Sequence, residues 1–118
     1  MTLASAILAG LLALVFLALG TAKILTLAPM RVRAAEAGFS TAAYRRIGVL
    51  EIAGATGLLT GLIEPPIGGL AGAGLLLLLG AAVVVHLRNG DGPRKSTPAV
   101  ICGLLVASYL MLHLGTTR

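Results

Sequence analysis

Residues 44–61 read YRRIGVLEIAGATGLLTG. Two arginines, Arg45 and Arg46, open the stretch. Beyond them it is apolar and rich in glycine, with a single carboxylate, Glu51. On membrane-insertion scales an acidic side chain at the centre of a spanning helix costs about 2.5–3.5 kcal/mol, so it needs a partner, water or a proton. The rest of the chain says whether the stretch lies in a bilayer and what Glu51 meets there.

Of the 118 residues, 58% are hydrophobic and 11% charged. Soluble domains carry about 25% charged residues, so this balance points to a membrane protein. The length suits one domain covering residues 1–118. The net charge is +5, yet aromatic residues make up only 3% and no basic face stands apart from the apolar runs. Nucleic acid is therefore excluded as a partner, and the positive charges read as topology signals toward the lipid bilayer. Cys102 is the only cysteine, which excludes an intrachain disulfide and a dithiol pair. It reads as a small apolar helix residue.

Upstream, Leu3 to Ala22 runs uncharged for long enough to cross a bilayer at about 1.5 Å per residue. With no basic side chain ahead of it, it reads as a retained span and not a signal peptide. Lys23 to Arg46 is a polar connection. Within it Pro29 starts a short helix, and Val32, Ala35 and Phe39 make a weak amphipathic stripe suited to the membrane surface. Gly38 ends that helix, and Ser40 or Thr41 caps the next. The second span is Ala43 to Ile63, and Glu64-Pro65-Pro66 forces a reversal. The third is Ile67 to Val85, closed by His86-Leu87-Arg88 and a turn at Asn89 to Pro93. The fourth is Ser96 to Leu112, capped by Ser96 or Thr97 with Pro98 at its first position. The expected fold is all-α: four transmembrane helices in an antiparallel bundle, with an interfacial helix between the first and second.

Lys23, Arg31, Arg33, Arg45 and Arg46 flank the first connection, and Arg88, Arg94 and Lys95 lie in the third. Only Arg118 falls on the other side. The positive-inside rule places connections one and three in the cytoplasm and both termini on the non-cytoplasmic side of the cell (inner) membrane. Small residues recur on successive helical turns, Ala53, Gly57 and Gly61 in the second span and Gly68, Gly72 and Ala73-Gly74 in the third, with Gly54 a further packing position. Such spacing lets helix backbones approach closely, so these two spans are expected to form a tight hairpin.

Lys23 shares a helix face with Leu12, Phe16, Leu19 and Gly20. Glu51 shares one with Tyr44, Ile47, Gly48, Gly54, Ala55 and Leu58, about 10 Å below the start of its span. Gly48 and Gly54 beside the carboxylate and Gly20 beside the amine leave room for close approach, and a Lys23–Glu51 pair offsets the desolvation of both ions. Tyr44 is placed to donate a hydrogen bond. The candidate polar site is therefore Lys23, Glu51, Tyr44 and His86. In the competing arrangement Lys23 snorkels to the interface and Arg45 or Arg46 reaches toward Glu51. His86 and His113 at helix ends read as interfacial residues. One Glu and one His are too few for a metal, no cofactor is implied, and no nucleophile–base or phosphate-loop motif is present.

The assembled pattern resembles the DoxX-like family of four-helix membrane proteins. The residues that carry it are Phe16, Gly20 and Lys23 in the first span, Ala37-Gly38-Phe39 in the connection and Ile47-Gly48-Val49-Leu50-Glu51-Ile52-Ala53-Gly54 in the second. Gly61-Leu62, Pro65-Pro66 and His86-Leu87-Arg88-Asn89-Gly90-Asp91 complete it. The resemblance implies an inner-membrane protein with Lys23 and Glu51 in its shared motifs. Some relatives are named for subunits of a thiosulfate:quinone oxidoreductase, but no residue here carries that chemistry. Three readings stand. The first is a non-enzymatic component or accessory subunit, partnered by a second copy or another membrane protein. The second is a subunit of a quinone-linked oxidoreductase with quinone as its small-molecule ligand. The third is a small proton-coupled exporter, although exporters of this length carry their Glu in the first span among aromatic residues.

Overall fold

In a computed structural model the described residues, 2–36, 38–90 and 93–116, form five helices. They are α1 (Leu3–Ile24), α2 (Ala28–Glu36), α3 (Thr41–Thr60), α4 (Pro65–Arg88) and α5 (Pro93–Thr116). Ala37, Asp91, Gly92 and Arg118 lie outside the described residues, as do the side chains of Arg94 and Lys95.

Local chemistry sets the boundaries. The Thr2 hydroxyl accepts from the Ser5 amide at 3.1 Å and caps α1. Ser40 does the same for α3 through the Ala43 amide. Both α1 and α2 end in the six-to-one and five-to-two hydrogen bonds that close a helix on a left-handed residue. For α2 the left-handed residue is Gly38 (φ 81°), and the Phe39 amide bonds to the Ala34 carbonyl. For α1 it is Thr26 (φ 53°), and the Leu27 amide bonds to the Ala22 carbonyl.

The four long helices form a ring in which α1 packs on α3, α3 on α4, α4 on α5 and α5 on α1. Their shared core is Ala9, Leu12, Ala13 and Phe16 from α1, Ala55 and Leu58 from α3, Leu75 from α4, and Val106 and Tyr109 from α5. The outward faces are apolar too: Leu14, Leu70, Leu77, Leu104 and Met111 are all exposed. Helices that are apolar all round belong in lipid. Among the described residues three helices are long and apolar enough to cross a membrane: Leu3–Ile24, Pro65–Arg88 and Ser96–Gly115. The 20-residue α3 carries Arg45, Arg46 and Glu51 and is not one of those three.

Several boundaries differ from expectation. Helix α3 stops at Thr60, and Gly61–Ile63 belong to the turn. Helix α4 begins at Pro65 and includes His86 and Arg88. Helix α5 begins at Pro93, so a proline does occupy its first position, but Pro98 lies inside the helix. It also continues past Leu112 to Thr116, which draws His113 into its last turn. On α2 the buried residues are Met30 and Ala34. Val32 and Ala35 are exposed, because α2 turns its Met30 face toward α1 and α3.

Candidate functional site

The site begins with a backbone contact. A Cβ on Gly20 would stand 2.7 Å from the Gly48 carbonyl oxygen, and a Cβ on Gly48 would stand 2.7 Å from the Gly20 carbonyl oxygen. Real Cβ atoms do not come so close, so α1 and α3 cross here because both positions are glycine. Lys23 and Glu51 each follow their glycine by three residues, one turn further along the same face. The crossing therefore delivers the ammonium of Lys23 onto Oε1 of Glu51, where the two form a hydrogen-bonded ion pair. Glu51 is 2% exposed. Two buried charges in contact offset each other's lost hydration, whereas either alone is expensive.

Tyr44 joins the pair through its ring, not through a hydrogen bond to Glu51. The Lys23 Nζ stands 4.9 Å from the Tyr44 ring centroid, within reach of cation–π attraction. The Phe39 ring is tilted against that of Tyr44, with centroids 6.3 Å apart. The expected Lys23–Glu51 arrangement is thus the one observed, and Arg45 and Arg46 are exposed.

Above the pair lies a cavity of about 610 Å³. Its polar wall holds Lys23, Arg33, Glu36, Tyr44, Glu51 and His86. Its apolar wall includes Phe16, Leu19, Ile47, Leu79, Val85 and Cys102. Every long helix contributes, and α2 adds Arg33 and Glu36 at the rim. Lys23 bonds to Oε1 alone, and no buried side-chain oxygen among the described residues is left unsatisfied. Glu51 itself lines the cavity. All four residues of the candidate polar site thus line one space. Arg31 and Arg88 are exposed and outside it. Glu36, Phe39 and Cys102 belong to the wall but stood apart in the sequence, since nothing local says which helices enclose a common space. Among the described residues no group of three or more His, Cys, Asp or Glu is arranged to hold a metal ion.

A second polar cluster occupies a different part of the bundle. His113 is 1% exposed and is not an interfacial residue. Its Nε2 donates to the Pro65 carbonyl at 2.6 Å. Its ring stacks on Tyr109, with centroids 5.1 Å apart and planes 19° apart. The Tyr109 hydroxyl sits in the notch left by Gly68, and Gly68 in turn packs against the backbone of Gly61. This cluster ties the start of α4 to the end of α5. The remaining packing glycines meet side chains: Gly54 lies against Leu75, Gly57 against Ala71 and Gly72 against Leu110.

No curated protein and no solved structure matches the chain. A model of one family does match, over residues 7–108, a range that takes in Lys23, Glu51 and the whole wall of the cavity. The chain belongs to the DoxX-like family.

Proposed function

We propose that this single-domain chain is a non-enzymatic component of the inner membrane that holds a small amphiphilic molecule in the cavity over Lys23 and Glu51. The observation that carries the reading is the cavity itself, whose lining combines the Lys23–Glu51 ion pair, further polar groups and apolar side chains. Pockets that take small molecules have this make-up and are about 300–1,000 Å³ in size. As an accessory subunit, the chain would offer its bound molecule to a second copy or to another membrane protein.

Four spans fit this role, with α3 as the fourth. It sits in the ring between α1 and α4, and below its first turns its only charge is Glu51, which Lys23 neutralises. Helix α2 lies along the surface, with Met30 and Ala34 inward and Arg31 and Arg33 exposed. The distribution of Lys and Arg supports a cytoplasmic α2 and α4–α5 connection, with the Leu3 end of α1 and the Thr116 end of α5 outside.

The reading is tested by gentle extraction from native membranes and mass spectrometry of what stays bound. A molecule retained by the wild type and lost from Ala99→Trp, which fills the cavity, supports it. Equal retention by both places the molecule elsewhere and ends the reading.

A second reading, a subunit of a quinone-linked oxidoreductase, draws on one observation. A carboxylate, an ammonium, a phenol and an imidazole line the same cavity, and such groups exchange protons with a quinol. Decylubiquinone binding that is identical in wild type and Glu51→Gln would remove it.

A further inference from the structure

We infer that the molecule held beside Lys23 and Glu51 carries an uncharged head that both donates and accepts hydrogen bonds, on an apolar tail. This rests on the cavity reading above and narrows it. In the cavity lining the charge is already balanced, one half-buried ammonium in direct contact with one buried carboxylate. An ionic head brought there would lose its hydration and find no surplus counter-charge. Arg33 and Glu36, one side chain of each sign, also line the cavity.

What the lining does offer is hydrogen bonding. An ammonium has three donors, and Oε1 of Glu51 takes one of Lys23's. Glu51 lines the cavity, and its second carboxylate oxygen is a further acceptor. A hydroxyl or a primary amide satisfies both at once, accepting from Lys23 and donating to Glu51. Beyond this pair the wall is Phe16, Leu19, Leu79 and Val85, which receives the tail. An ester or ether without a donor would leave the carboxylate oxygen facing the ligand unpaired, which costs affinity.

Cys102 lines the same cavity and is the only cysteine, so its alkylation reports occupancy. The protein in lipid nanodiscs is treated with N-ethylmaleimide in the presence of probes that share a lauryl chain: glycerol monolaurate, laurate, dodecyltrimethylammonium and methyl laurate. Glycerol monolaurate is expected to slow alkylation about tenfold at a concentration where the other three have little effect, a difference of about 1.4 kcal/mol. In Glu51→Gln the ammonium loses its counter-charge, and protection shifts to laurate. If that variant does not accumulate, the wild-type series still decides. Laurate or dodecyltrimethylammonium protecting the wild type as well as the glycerol ester does would overturn the uncharged head while leaving the cavity a binding site. Equal protection by methyl laurate would overturn the hydrogen-bonding part. Protection by no probe removes both this inference and the cavity reading beneath it.

Discussion

Gly20 and Gly48 each place a carbonyl oxygen 2.7 Å from the point where the other would carry a Cβ. The relationship is reciprocal, so neither position tolerates even a methyl group without moving a helix backbone. Gly20→Ala and Gly48→Ala are each expected to lose about 1–3 kcal/mol, the usual cost of overpacking a close contact. Gly10→Ala on the same helix meets nothing within 4 Å. Thermal unfolding in detergent checks this, and equal melting temperatures for Gly20→Ala and Gly10→Ala would contradict it.

The ion pair predicts coupling. Lys23→Met alone strands the buried carboxylate and is expected to cost about 3–5 kcal/mol, and Glu51→Gln alone strands the half-buried ammonium with a smaller loss. The double variant strands nothing and should be more stable than either single variant. Melting temperatures of the three variants close the cycle. Losses that simply add would show that the two side chains act independently.

The His113 contact predicts a loss far from the cavity. His113→Ala leaves the Pro65 carbonyl without its imidazole donor and opens a hole beside Tyr109. A destabilisation of about 1–3 kcal/mol is expected from the lost donor, with a further loss from the hole. Because the Lys23–Glu51 pair and this cluster lie toward opposite ends of the bundle, His113→Ala and Lys23→Met should be additive. Strong coupling between them, read from the same unfolding curves, would show that the clusters form one network.

Thr26 sits at φ 53°, where L side chains are strained, at the position that closes α1. Left-handed backbone costs a non-glycine residue about 1–2 kcal/mol, and the freedom glycine regains on unfolding takes back about 0.5–1. Thr26→Gly is therefore expected to be neutral to about 1 kcal/mol more stable. A clear loss would mean that the Thr26 hydroxyl bond to the Leu25 carbonyl outweighs the strain.

The proposed passage of α3 through the bilayer predicts a labelling pattern. In a Cys102→Ser background, Arg31→Cys is expected to react with an impermeant thiol reagent only from the cytoplasmic side. Glu64→Cys, beyond the end of α3, should react only from the opposite side. Reaction of both from one side would show that α3 returns without crossing.

The polar pair was legible because each of its residues stands out within its own helix. A lysine ending a long uncharged run, a lone carboxylate in a glycine-rich run and a glycine three residues before each suffice to place both on facing stripes. His113 was not legible. Its burial depends on the Pro65 carbonyl, 48 residues earlier, and on α5 continuing about one turn past Leu112. Neither is encoded near position 113. Pro98 misled in a related way, since Pro93 takes the first helical position instead. The cavity was hidden for the same reason. Its wall combines α2 with all four long helices, and helical periodicity says which face is apolar but not which faces enclose a space.

The notch at Gly68 has a consequence for how the sequence can drift. The hydroxyl of Tyr109 fills the place a side chain on Gly68 would take, so the two positions, on separate helices, share one volume. Alanine at 68 demands a shorter residue at 109, and a shorter residue at 109 leaves glycine at 68 with no occupant to accommodate. Across homologous chains the two should therefore change in step, as a size exchange between neighbours in space, while each taken alone looks immovable.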